Sequence, residues 1–201
     1  MCNAYTVRPK VGKRALDEVI SAEMSRLPSP LVRRTGKGVV ALLDGDTLVP
    51  ATMRWGIRTP RFDSINNARA DKLTSRTWAD ALENRRCLVP ISTFYEWQEL
   101  PHRAKQPYEF KRPDGDWMWV AGLHAPSEEY GSCYATITTG PPERFAAIHD
   151  RMLAVLDFET GMAFLRGGIP AFEPDAGVVT ATPCASPLKR KPPEDPQGEL
   201  F

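Results

Sequence analysis

Apolar residues recur at helical spacing between Lys13 and Leu27, with Leu16, Val19, Ile20 and Leu27 standing among charged positions. That spacing predicts a first helix. Gly38 to Leu43 and Thr47 to Ala51 read as two short strands around an Asp44-Gly45-Asp46 turn. Thr77 to Arg86 suits a helix, capped by Thr77 or Ser75, with Trp78, Ala81 and Leu82 turned inward. Cys87 to Val89 and Thr93 to Gln98 follow as strands separated by Pro90. Tyr108 to Arg112 and Trp117 to Leu123 have the pattern of a hairpin around Pro113-Asp114-Gly115-Asp116. Further strands are predicted at Cys133 to Thr138, Met152 to Leu156 and Val178 to Thr182, with short helices after Pro142 and over Glu159 to Arg166.

Strands outnumber helices and do not alternate with them, which argues against a doubly wound parallel sheet. The expected fold is α+β: one domain, with a mostly antiparallel, curled sheet (a pseudo-barrel) and a few short helices. That domain is assigned to residues 1–182. From Pro183 onward five prolines fall in 19 residues, mixed with charge, which predicts a flexible tail over 183–201. No internal repeat is found.

A chain of 201 residues with 42% hydrophobic and 25% charged residues can bury a real core. It holds no apolar run long enough to span a membrane. The start, Met-Cys-Asn-Ala-Tyr-Thr-Val-Arg, lacks the basic and apolar regions of a secretory leader, so a cytoplasmic protein is expected. The formal charge of +1 argues against a nucleic-acid partner, but the average hides a split. Residues 1–86 carry 16 basic and 9 acidic side chains, whereas residues 87–201 carry 10 and 16. Such asymmetry is one mark of a polyanion-binding face.

Four cysteines, at 2, 87, 133 and 184, show no CxxC spacing, and His102, His124 and His149 add no ligand cluster. No metal site and no disulfide framework is expected; Cys87 and Cys133 read as buried hydrophobes. Cys2 is different. Removal of Met1 would expose an α-amine and a thiol on neighbouring carbons, a 1,2-aminothiol that reacts with an aldehyde to give a thiazolidine. The plainer alternative is a second-position cysteine without a role.

Glu96 lies in Phe94-Tyr95-Glu96-Trp97, where aromatic neighbours would raise its pKa if they desolvate it. Strict alternation instead puts Tyr95 and Trp97 on one face and sends Glu96 to water. His149, in Ile148-His149-Asp150-Arg151-Met152, is a candidate acid–base group or a merely hydrogen-bonded histidine. Asn67 and Arg69 sit in a polar segment, Asn66 to Asp71, suited to an amide contact and a phosphate fork, or simply to a turn. Between 54 and 86, eight basic residues, among them Arg54, Arg58 and Arg69, interleave with Trp55 and Phe62, a composition that suits single-stranded nucleic acid. Spacing alone does not bring Cys2, Asn67, Glu96 and His149 together.

Five stretches together resemble the SRAP family, the SOS response-associated peptidase-like proteins that crosslink to abasic sites in DNA. They are Met1-Cys2, Met53-Arg54-Trp55-Gly56-Ile57, Asn67-Ala68-Arg69-Ala70-Asp71, Arg86-Cys87-Leu88-Val89-Pro90 leading to Phe94-Tyr95-Glu96-Trp97, and Ile137-Thr138-Thr139 leading to Ile148-His149-Asp150-Arg151-Met152. The resemblance implies that Cys2, freed of Met1, traps the ring-opened abasic sugar as a thiazolidine and shields the lesion during the DNA damage response. It implies Glu96 as the acid–base carboxylate, His149 in ring opening, and Asn67 in positioning Cys2. It assigns DNA contacts to Arg69, Trp55, Thr138 and Thr139, beside Arg54, Arg58 and Phe62 of the basic stretch. No metal or cofactor is implied. The implied partner is single-stranded DNA containing abasic sites, bound by a monomer that is nucleoid-associated when on DNA; an AP-lyase side activity also follows. This sequence departs from the family pattern at Asn3-Ala4, where Gly-Arg is usual, at Asp71, where glutamate is usual, at Thr93 in place of glycine, and at Leu153 in place of proline. The alternatives are a thiol peptidase acting in trans through Cys2 or Cys87 with His149, and a DNA-binding module with weakened chemistry.

Overall fold

The structure is a computed structural model that describes residues 2–11, 14–172 and 179–188. Its centre is a ring of five strands. These are β3 (Lys37–Asp44), β4 (Thr47–Trp55), β8 (Arg86–Ile91), β11 (Met118–Ser127) and β12 (Gly131–Thr139), numbered in chain order among the strands of the described residues. β3 pairs with β4 across the Asp44-Gly45-Asp46 turn, where Gly45 takes φ +58, a left-handed conformation that glycine adopts without strain. β4 then joins β12 in parallel, β12 joins β11, β11 joins β8, and β8 closes on β3 through Ala41 and Leu88. Closure removes the exposed edges that an open sheet would present.

A second sheet runs in the order β15-β10-β9-β1-β2. Its members are β1 (Ala4–Thr6), β2 (Leu31–Arg33), β9 (Thr93–Glu99), β10 (Lys105–Lys111) and β15 (Thr180–Pro183). Small pieces complete the strands: β5 (Ile57–Thr59), β6 (Phe62–Ile65), β7 (Asn67–Arg69), β13 (Met152–Leu153) and β14 (Val155–Leu156). Among the described residues the α-helices α1 (Ala15–Met24), α2 (Ala79–Asn84), α3 (Glu143–Ala146) and α4 (Phe158–Leu165) complete an α+β single domain, as expected. The solid apolar runs of β3, β8 and β11 follow from burial on both faces: Val39, Val40, Ala41, Leu88, Val89, Val120 and Ala121 are all fully buried. Cys87 and Cys133 are buried among them as free thiols.

Several expectations are corrected. Pro90 does not divide two strands; it lies inside β8 opposite Trp119. The segments around Pro113-Gly115 do not form a hairpin, because β10 pairs with β9 and β15 whereas β11 belongs to the ring. The chain crosses from one sheet to the other there. The first helix buries Asp17, Ile20, Ser21 and Met24, and leaves Val19 51% exposed. The buried Asp17 is balanced by Arg14 at 3.0 Å and Lys10 at 3.6 Å. Neither Thr77 nor Ser75 caps α2 with its side chain. By contrast, Asp157 caps α4, its Oδ1 accepting the Thr160 N–H at 2.8 Å.

At the C-terminal end, β15 extends through Pro183, and Cys184 continues against β10 through its N–H to Pro107 O at 2.9 Å. Arg33 donates to Pro187 O at 3.4 Å. The part of the expected tail over 189–201 lies outside the described residues. Among the described residues no helix is long and apolar enough to cross a membrane.

Candidate active site

β1 pairs antiparallel with β9, Tyr5 opposite Phe94 and Thr6 opposite Thr93. This register brings the residues before Ala4 alongside Glu96. Cys2 is completely buried there, its Sγ donating to Ala4 O at 3.2 Å. Burial, reinforced by the Glu96 carboxylate, pushes the Cys2 thiol far above its ordinary value. The thiolate is strongly disfavoured in this setting.

The Cys2 carbonyl is gripped by two amides. Asn67 Nδ2 donates to it at 2.9 Å and Asn66 Nδ2 at 3.1 Å. Both asparagines are set by β7, which runs parallel to β12 with Asn67 opposite Thr136. The Thr136 hydroxyl donates to Asn67 Oδ1 at 2.9 Å, so the amide oxygen is occupied and the NH2 group points to Cys2. Asn67–Arg69 is thus strand, and the chain turns only after it, in a 3-10 turn over Ala70–Lys72. Asn66 escapes a reading of the sequence because an Asn-Asn pair looks like turn chemistry; its backbone oxygen also accepts the Trp55 indole N–H at 2.9 Å.

Glu96 is 1% exposed, on the inward face of β9 with Phe94, while Tyr95 and Trp97 are half-buried on the other face. Alternation therefore holds with the opposite polarity to the solvated alternative. Burial raises the Glu96 pKa to about 8. On the same face of β9, Phe94 stacks on Phe110 at 4.7 Å, and Phe110 meets Phe145 edge-on at 5.2 Å.

Phe145 anchors α3 and so fixes the loop that carries His149. Gln98 Nε2 secures the same loop at Ala147 O, 2.9 Å away. His149 Nε2 stands 3.8 Å from Glu96 Oε2. Its Nδ1 has two neighbours, the Arg151 N–H at 3.0 Å and Asp150 Oδ1 at 2.8 Å. The first needs Nδ1 unprotonated, with the proton on Nε2; the second needs a proton on Nδ1. Half-burial lowers the His149 pKa and favours the neutral form. Glu96 and His149 open onto a cleft of about 610 Å³, also lined by Asn3, Trp97 and Asp150.

Cys2, Asn67, Glu96 and His149 are therefore close neighbours in the fold. The DNA-contact residues fare differently. Trp55 is fully buried, edge-on to Tyr5 at 5.0 Å, and Thr138 is fully buried too; neither offers a surface to a base. Thr139 is partly buried and donates to Phe172 O at 3.1 Å. Phe62 is 60% exposed. Arg54 lies over the Tyr130 ring at 4.2 Å, Arg58 pairs with Glu129, and Arg69 pairs with Asp71. Charge asymmetry along the chain is thus partly cancelled in space. Cys87, the alternative nucleophile, is buried in the ring, its thiol pushed up by desolvation, and it does not line the cleft.

The sequence matches the family model described as SOS response associated peptidase (SRAP) over residues 3–182. The chain belongs to this family. Among SRAP relatives, it is 32% identical over 133 residues to the abasic site processing protein YoqW of Bacillus subtilis, covering 61% of this chain and 59% of that protein. It is 33% identical over 122 residues to the abasic site processing protein YMR114C of Saccharomyces cerevisiae, covering 56% and 33%. It is 31% identical over 147 residues to the abasic site processing protein HMCES of Xenopus tropicalis, covering 57% and 44%. The matches thus span less than two thirds of each relative. A crystal structure of a protein from Bacteroides thetaiotaomicron shares the SRAP chain's fold with a TM-score of 0.72 at 20% identity, covering 99% of this chain and 100% of that one. A phage-related protein from Bordetella bronchiseptica gives a TM-score of 0.65 at 20% identity over 92% and 94%.

Proposed function

We propose that this chain captures abasic sites in single-stranded DNA as a thiazolidine at Cys2, protecting the lesion. The observation that carries this reading is the grip of Asn66 and Asn67 on the Cys2 carbonyl beside a buried Glu96. Hydrolysis of the Met1–Cys2 peptide bond consumes one water and frees the Cys2 amine. With a pKa of about 8, Glu96 holds a proton at neutral pH that it can lend to a leaving nitrogen or hydroxyl. The amine condenses with the sugar aldehyde, releasing water and forming an imine. The thiol then adds to the imine carbon, and its proton passes to nitrogen. Because the thiol is pushed up by burial, attack by the amine comes first.

His149 is suited to opening the sugar ring, since its Nε2 faces Glu96 and its Nδ1, once protonated, can donate a hydrogen bond to Asp150. Strand cleavage from the imine by β-elimination would be the lyase side reaction. We assign the strand contacts to Phe62, Arg58, Arg54, Arg69 and Thr139, and this reading calls on no metal or organic cofactor. The protein would act as a cytoplasmic monomer, drawn to the nucleoid by its DNA.

The test mixes purified protein with an oligonucleotide carrying one abasic site. A denaturation-resistant adduct is expected from the wild type and none from Cys2→Ala; an undiminished adduct from that variant would overturn the reading. Intact mass should show loss of Met1. Cleavage of added peptides would instead favour a peptidase acting in trans.

A further inference from the structure

Arg69 is the side chain best shaped to hold a phosphate near the site, yet its fork is filled. Asp71 Oδ1 accepts from Arg69 Nε at 3.0 Å and Asp71 Oδ2 from Nη2 at 2.7 Å. This two-point geometry is the one a phosphodiester adopts on arginine. Both side chains are about half exposed, so the pair is open to solvent and to a strand. The same carboxylate faces a second cation, Arg151, whose Nη1 is 3.5 Å from Oδ1. Arg151 is itself fixed, donating from Nη2 to Thr138 O at 2.5 Å and to Thr138 Oγ1 at 3.2 Å.

We infer that Asp71 is an internal stand-in for a DNA phosphate: it closes the Arg69 fork in the free protein and must leave before a strand can use it. This inference rests on the DNA reading above and deepens it. A phosphate arriving at Arg69 meets the Asp71 charge, and Asp71 has Arg151 beside it as a second partner. Exposed ion pairs of this kind are weak, so the gate is easily displaced. It is not a pH gate, because the Arg69 hydrogen bonds hold Asp71 at about 2 and it stays charged at every physiological pH. The consequence is selectivity: strand binding is held down, and the covalent step at Cys2 discriminates in favour of a lesion.

The experiment measures binding of an intact, lesion-free single-stranded oligonucleotide by fluorescence anisotropy across a salt series. Asp71→Asn should bind about three- to tenfold tighter than wild type at low salt and lose affinity more steeply as salt rises, by about one further phosphate contact. Asp71→Glu, which keeps the carboxylate, should stay near wild type. Placing Arg69→Gln in the Asp71→Asn background should abolish the gain. Unchanged or weaker binding by Asp71→Asn overturns the inference, as does a gain that survives loss of Arg69. Tighter binding by Asp71→Asn in a protein that forms no abasic adduct would uphold this gate while the capture reading fails. Absence of strand binding in both proteins overturns the inference, whereas the capture reading falls only if no abasic adduct forms.

Discussion

His149 Nε2 and Glu96 Oε2 lie 3.8 Å apart, one half-buried and the other sealed on the inward face of β9. Their pKa values are moved in opposite directions by the same cause. Burial disfavours the charged form of each, raising the carboxyl to about 8 and lowering the imidazole. At neutral pH the pair is therefore a protonated acid beside a neutral base, a state ready to pass protons without carrying net charge.

Glu96 should make the fold sensitive to pH. Its folded pKa of about 8 stands above the ordinary carboxyl value of 4.5, so the folded state binds the extra proton between those limits. Stability from this group is complete below about 4.5 and is lost as pH rises through about 8. Urea unfolding from pH 5 to 9 should show that decline in wild type and a flatter profile in Glu96→Gln. An equally steep decline in the variant would show that another group titrates.

His149 should titrate below its ordinary value of 6.5. Asp150 opposes that depression, so Asp150→Asn should lower the midpoint further. Imidazole proton shifts followed by NMR across pH 4 to 8 give both numbers. A midpoint that rises in Asp150→Asn would place the Asp150 charge elsewhere.

Much of this arrangement is legible in the sequence, and what is not has identifiable physical causes. The strands of the ring announce themselves because burial on both faces leaves continuous apolar runs, as in Val39 to Ala41 and Leu88 to Val89. Their partners do not, since pairing between strands distant in the chain leaves no local trace. The segment around Gly115 reads as a hairpin because its turn chemistry is right, yet its two strands enter different sheets. The polarity of β9 is equally open: the alternation of Phe94 to Trp97 is plain, but which face is inward depends on where β1 and α3 pack. Trp55 misleads in the other direction. An aromatic among arginines looks like a base-stacking residue, whereas its ring fills the space against Tyr5 and its N–H is used by Asn66.

Asn66 and Asn67 share one task, holding the Cys2 carbonyl, so their substitutions should not be additive. Either single change to alanine leaves one amide on that oxygen and should cost about 1 kcal/mol, with a modest slowing of adduct formation. The double variant leaves the buried carbonyl without a side-chain donor, and its cost should exceed the sum of the singles. Urea midpoints and adduct rates for the four proteins of the cycle measure this. Strict additivity would mean that the two amides act on different things.

Gly38 tests how β1, and with it Cys2, is anchored. A Cβ at position 38 would strike both the Tyr5 and the Tyr134 hydroxyl oxygens, which hydrogen-bond to each other in the buried core. Tyr5 belongs to the strand that carries Cys2 to Glu96, and it also supports Trp55. Gly38→Ala should therefore destabilise by about 3 kcal/mol or more, at the upper end of overpacking costs. Because Tyr5 must move, the rate of adduct formation should fall as well. Removing one obstructing oxygen with Tyr134→Phe in the Gly38→Ala background should recover part of the stability, and thermal unfolding of the three proteins measures the exchange. A Gly38→Ala protein as stable and as active as wild type would mean that β1 does not depend on this contact for its position.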